Sequence, residues 1–297
     1  MPQVFQYKVY LPSIADYVRV SELKNHEHLN IIKYNKNNDS AGLSGYLESL
    51  IESKIEDKTI TLHRIDKYCI ILTMIMLCID GFINLRAVCE ETEEEYEISI
   101  DVGDILNIIS NIEYKSPEIQ LDNTTIHFNY PVEIYNTNVE DATKYISTIT
   151  IEGKEYDLSQ LSKSQLDSVF DVLPGSTFKE LAEKIKQMRV SYDDIELLTF
   201  QSPYADNTKQ TRLGVDLIGN DVFDFICILL GQDLNGYYEM QFAMMSNYHF
   251  PPEYYQECTP IEVKIFYSYM KQDVENQRKQ LEDHKKQNQT PVERASG

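Results

Sequence analysis

The most constraining stretch of this chain is Tyr68 to Ile79, YCIILTMIMLCI, which is uncharged throughout and interrupted only by Thr73. A membrane helix needs about 20 apolar residues, so the run is too short to span a bilayer and has to be buried in protein. Helical spacing extends it back to Leu62, and Asp80-Gly81 ends it. A helix over Leu62 to Ile79, apolar nearly all round toward its end, belongs at the centre of the first domain. The other elements must be arranged to cover it.

Two β-rich runs precede it in VFQYKVYLPSIADYVRV, residues 4 to 20, split by Pro12-Ser13 and Asp16, which predicts a hairpin or meander. Ser40 can cap a helix over Ala41 to Glu56, in which Leu43, Leu47, Leu50 and Ile51 recur at helical spacing. After the break, FINLRAVC and EYEISIDV read as strands around the acidic turn Glu90 to Glu95. Asp101 caps a helix through Ile112, Glu118 to Pro131 alternates as two strands around Asp122-Asn123, and Tyr145 to Tyr156 supplies a further β pair.

Beyond Leu158 the pattern turns helical. Ser162 to Gln165 and Thr177 to Glu180 have capping-box form, predicting helices over Lys163 to Leu173 and Phe178 to Met188. Ser191 to Gln201 fits neither period, and Ser202 to Arg212 reads as a polar loop. Asn220 caps Asp221 to Leu230, and Tyr237 to Tyr248 is helical up to Pro251-Pro252. Thr259-Pro260-Ile261-Glu262 combines a cap hydroxyl, an N1 proline and an N3 glutamate at the head of a long last helix. Its start carries apolar residues on one side, whereas QRKQLEDHKKQNQ is polar all round. That distal half is either frayed and solvated or awaits a partner.

The expected fold is thus α+β: β-rich N-terminal and middle segments with inserted helices, then a mainly helical C-terminal part. The expected domains are 1–158, with a β-rich excursion at 81–157, and 159–286, ending in the long helix; 287–297 is expected to be a disordered tail.

Charge and chemistry narrow the function. The chain carries 48 acidic against 27 basic residues, a net charge of −21, which repels nucleic acid and anionic membranes. Such a surface either attracts basic protein partners or simply maintains solubility. Five cysteines without a CxxC pair point to free thiols in a reducing compartment, and the N-terminus lacks the basic and apolar blocks of a secretory signal. No phosphate-loop, dinucleotide, nucleophile-elbow or HExxH motif is present. His26-Glu27-His28, Cys89 beside its glutamates, Asp193-Asp194, and His63 with Asp66 and Lys67 each lack the helpers a catalytic or metal site requires. The reading is a protein with no catalytic, cofactor-binding or metal-binding residues, acting by binding other proteins; an enzyme of unrecognised type is the remaining alternative. Tyrosine is abundant, at 21 residues, and is favoured in interfaces as well as in cores. The candidate protein-binding residues are Tyr237, Tyr238, Phe242 and Met245 on one helix and Ile265, Phe266, Tyr269 and Met270 on the next.

Several of these segments occur in a familiar order. A β segment ending in Leu11-Pro12-Ser13, then Val18-Arg19-Val20 and Glu22-Leu23, is followed by the excursion Phe82 to Val102 and by Phe128-Asn129-Tyr130-Pro131. Next come Ile151 to Leu158, Phe223 to Leu230, Tyr237-Tyr238 and Thr259 to Glu262. This order resembles the baseplate hub assembly proteins of T-even-type (T4-like) contractile-tailed bacteriophages. The resemblance implies a chaperone-like, non-enzymatic role in tail morphogenesis by a late protein of the host cytoplasm, or else a structural hub component retained in the virion baseplate. It implies hub or tape-measure proteins as partners, leaves an oligomer open, and involves no cofactor. Some relatives carry a CxxC in the excursion where this chain has Cys89 alone, so no metal is implied there.

Overall fold

In the computed structural model the described residues are 5–89, 92–112, 118–121, 123–135, 145–171, 173, 175–193, 196–201, 210–214, 219–231 and 234–289. The fold is α+β, with strands concentrated in the first and middle parts and helices in the last. The chain divides into two compact units, Met1–Glu22 with Ile31–Gln232, and Leu23–Asn30 with Asp233–Gly297.

The larger unit opens with an antiparallel hairpin of β1 (Gln6–Leu11) and β2 (Asp16–Ser21), in register from Gln6 opposite Ser21 to Leu11 opposite Asp16. Alternation sends Val9, Leu11, Val18 and Val20 inward, while Tyr10 and Tyr17 meet edge to face on the other side. Helix α1 (Asn25–Lys36) leads to α2 (Ser40–Lys54), whose cap is Asp39, one residue earlier than expected. The Asp39 carboxylate accepts the Gly42 N–H at 2.8 Å; Asp and Ser are comparably good N-caps, so either residue could have held this place.

Helix α3 (Arg64–Met74) is buried along its whole length and runs into a π-helical turn, Ile75–Ile79. It packs on β1 and on α4 (Val102–Ser110), as the apolar run demands. Its first turn is polar and equally buried. Asp66 accepts the His63 N–H at 2.8 Å and, from the β1–β2 loop, the Ser13 N–H at 3.0 Å and hydroxyl at 2.5 Å. The neighbouring side chains grip the bent segment 132–134 by its backbone. Arg64 donates to the Glu133 and Gly219 carbonyls, Lys67 to the Val132 carbonyl and the Glu48 carboxylate, and Tyr68 to the Ile134 carbonyl. Glu48 in turn accepts the Ile134 N–H at 2.7 Å. Buried charge is tolerated here because each group meets an opposite charge or a backbone dipole.

The excursion is a two-stranded ribbon, β3 (Phe82–Val88) against β4 (Glu95–Asp101). Asp101 caps α4 by accepting the Gly103 N–H at 2.8 Å, as its position suggests. The two later β pairs join into one antiparallel sheet in chain order: β5 (Glu118–Leu121), β6 (Thr124–Phe128), β7 (Ile146–Ile151) and β8 (Lys154–Asp157). The two-residue turn Glu152-Gly153 has positive φ at both positions, the geometry that suits a tight hairpin. Ile126 and Ile149, cross-strand neighbours, fill the covered face.

Helix α5 (Lys163–Asp171) starts at its predicted cap, where Gln165 accepts the Ser162 N–H at 2.9 Å. Helix α6 (Gly175–Asp193) begins two residues before Thr177 and so overrides the capping box read there; the first amides of a helix need no intrahelical partner, so Gly175 and Ser176 join at small cost. The ambiguous stretch forms β9 (Glu196–Gln201), paired with β10 (Gln210–Gly214), so the expected loop contains a strand. Helix α7 (Asp221–Leu230) closes the unit. Packing of α7 with α3, β9 with α4 and α6 with β5 ties residues on both sides of Leu158 together. In chain order the larger unit ends at Gln232. Of the expected tail, residues 290–297 lie outside the described residues.

Candidate protein-binding site

The smaller unit holds all the candidate residues. It comprises the first turns of α1, then α8 (Leu234–Tyr248), α9 (Pro252–Glu257) and α10 (Pro260–Gln289). Helix α9 follows from Pro251-Pro252: the pair read as a break also places a proline at the first helical turn. Helix α10 starts on the predicted capping box. Glu262 accepts the Thr259 N–H at 2.7 Å, and the Glu262 N–H lies 3.4 Å from the Thr259 hydroxyl.

Asn25 organises the interior of this unit. Its N–H donates to the Cys258 carbonyl at 2.8 Å, and its side-chain amide donates to the Tyr237 hydroxyl at 2.9 Å and the Tyr255 carbonyl at 3.2 Å. The Tyr237 and Tyr255 rings meet edge to face at 5.8 Å. Burial, helped by the Tyr255 hydroxyl, holds the Tyr237 phenol above its usual titration range. His28 is buried nearby with its Nε2 lacking a hydrogen-bond partner; burial and the Lys264 charge push its pKa down to about 3. His26 places Nδ1 3.0 Å from the Gln256 carbonyl. The two imidazoles are therefore parts of the packing inside this unit and make separate contacts there.

The candidate residues separate by face. Tyr237 is a core residue, 5% exposed, and offers no surface to a partner. Tyr238, Phe242 and Met245 follow one another at i, i+4 and i+7 on α8; Phe242 is 71% exposed, Tyr238 is exposed and Met245 is half-buried. On α10, Ile265, Phe266 and Tyr269 are exposed, and Met270 is half-buried with its carbonyl accepting the Tyr248 hydroxyl at 3.2 Å. Phe266 meets Phe250 at a tilt, the ring centres 5.6 Å apart, and Phe250 in turn meets Tyr254 edge to face. Reading the residues alone missed Leu281, which lies in the stretch read as polar all round and is 63% exposed. Its seven-residue spacing from Val274 is the signal that could have found it.

Among the described residues no three His, Cys, Asp or Glu side chains gather where they could hold a metal ion, and no helix is long and apolar enough to cross a membrane. Cys89 is buried in a backbone-bonded turn, its N–H donating to the Glu94 carbonyl at 2.9 Å; Glu90 and Glu91 lie outside the described residues. So does Asp194 of the paired aspartates. Two clefts of about 520 and 950 Å³ flank α5, lined by residues such as Tyr156, Gln165 and Val169 in the smaller and Pro131, Thr148 and Phe170 in the larger. The smaller cleft also carries Glu152, Lys154 and Ser168, and the larger one Glu133, Asp157 and Asp167.

Among curated proteins and among solved structures, nothing matches the chain. A family profile does: that of the T4 bacteriophage base plate protein, over residues 4–197. The match spans the larger unit from β1 into β9 and stops before α7 to α10, so the candidate binding residues lie outside it. With about two-thirds of its length covered, the chain belongs to the family of T4 bacteriophage base plate proteins.

Proposed function

We propose that this base plate protein is a non-enzymatic assembly factor of the baseplate hub, holding hub or tape-measure proteins through its smaller unit while the tail is built in the host cytoplasm. The observation that carries this reading is the set of large apolar side chains displayed on α8 and α10, with Phe242 at 71% and Tyr269 at 64% exposure. Aromatic side chains left in water at this density are a feature of protein-binding surfaces. The acidic charge of the chain favours partners with basic surfaces. The test is affinity purification of the Phe242→Asp/Tyr269→Asp double variant from infected cells. Loss of hub proteins from the eluate, with an unchanged circular dichroism spectrum, is the expected result; undiminished capture sinks the reading.

The family's own description, a base plate protein, supports a second reading, in which the chain stays in the particle as a hub component. Purified virions containing it at fixed stoichiometry would favour that role over a transient one.

A further inference from the structure

Helix α10 is 30 residues long, and every residue from Lys271 to Lys285 is exposed. Alternating steps of four and three residues align Val263, Tyr267 and Met270 with Val274, Gln277 and Leu281, the spacing of a helix-pairing seam. The seam is covered at its start, where Val263 is buried and Tyr267 and Met270 are half-buried. Helix α8 ends where the Tyr248 hydroxyl reaches the Met270 carbonyl. Past that level the same line continues into solvent, with Val274 54% and Leu281 63% exposed.

The flanks of the exposed stretch differ. Lys271, Arg278 and Lys285 border it on one side at seven-residue intervals; Asp273 and Gln280 border it on the other. Arg278 is engaged by Glu282 at 3.3 Å from the side away from the seam, and Lys271 lies over the Tyr267 ring at 4.6 Å. Exposed contacts of this kind are weak and leave the cations available to a neighbour. They also help a helix without tertiary contacts to persist. A cationic flank on a chain of net charge −21 is a local reversal of sign.

We propose that the distal half of α10 pairs with an amphipathic helix of a partner protein that carries acidic residues along the edge meeting Lys271, Arg278 and Lys285. This rests on the reading of the smaller unit as the docking region and adds the chemistry of what docks. A second copy of the chain fits less well. Antiparallel pairing sets the three cations against their own copies, and parallel pairing gives each chain one attractive contact, Asp273 with Arg278.

The test uses the full chain and two labelled synthetic peptides of three heptads with leucine at both seam positions, one with glutamate and one with lysine on the flanks, read by fluorescence anisotropy. The glutamate peptide is expected to bind about ten-fold tighter than the lysine peptide and to weaken with added salt. The variant K271E/R278E/K285E should reverse the preference, and Leu281→Asp should weaken the glutamate peptide with helicity unchanged. Equal binding of the two peptides, or no binding of either at about 100 µM, overturns the inference. So does a concentration-dependent dimer that Leu281→Asp converts to monomer. If the peptides fail while Phe242→Asp/Tyr269→Asp still abolishes hub capture, only the pairing chemistry falls and the docking region stands.

Discussion

The side-chain amide of Asn25 donates to the hydroxyl of Tyr237 across 2.9 Å, joining residues 212 positions apart inside the smaller unit. Both groups are buried, so neither can exchange this partner for water. The first turn of α1 is thereby held among α8, α9 and α10.

Removing one side chain takes this bond from the other, which keeps only a longer contact: the Asn25 amide with the Tyr255 carbonyl at 3.2 Å, the Tyr237 hydroxyl with the Asn25 backbone carbonyl at 3.4 Å. Asn25→Ala should cost about 1–3 kcal/mol and Tyr237→Phe about 1 kcal/mol, with the double variant less than additive. Urea unfolding followed by circular dichroism measures each; additive losses would show that the two side chains do not act on one another.

The Lys67–Glu48 pair at the head of α3 offers a sharper contrast. Lys67→Met strands the Glu48 carboxylate, whose side chain is 23% exposed, and should cost about 2–3 kcal/mol after allowance for that exposure. Adding Glu48→Gln should recover part of the loss, because the charge left behind is removed. A thermal melt of the single and double variants decides it; no recovery would mean that the backbone bonds to Val132 and Ile134 dominate.

His28 makes stability depend on pH in a defined direction. Its folded pKa is lowered from 6.5 to about 3, so the native state keeps it neutral while the unfolded chain protonates it first. The contribution is fully present above pH 6.5 and declines as pH falls toward 3, by up to about 1.4 kcal/mol per unit. A His28→Phe variant should show a flatter decline of the urea midpoint between about pH 7 and 5. Identical slopes for the two proteins would contradict this.

None of the five cysteines is in a disulfide, and none is fully exposed. Burial, reinforced by Asp66, raises the Cys69 pKa; burial, with Asp224, pushes Cys227 up to about 12. The native protein should therefore react slowly with a disulfide reagent at about pH 8, releasing its full thiol count only in denaturant. A fast burst before denaturation would show that one thiol is more accessible than the structure indicates.

The elements legible in the residues are those whose causes are local. Thr259-Pro260-Ile261-Glu262 set the start of α10, Asp101 capped α4, and the uncharged run to Ile79 had to be buried, since each depends on neighbours within a few positions. Tyr237 could not be told from Tyr238 in this way, because α8 carries apolar residues around much of its circumference and its period does not choose a face. Strand β10 was missed because so short and polar a strand is defined by pairing with β9 and not by its own composition.

The sequence by itself determined most of the helical and strand segments, the family, and an acidic chain ending in a long capped helix. Only the tertiary structure decided that Asn25 makes Tyr237 a core residue, that Arg64 and Lys67 hold the segment after β6 by its backbone, and that the seam of α10 leaves its cover at Met270. The physical reason is one of range. Caps and periodicity act over a few residues, whereas burial and side-chain-to-backbone bonds between distant segments exist only once the chain has brought those segments together.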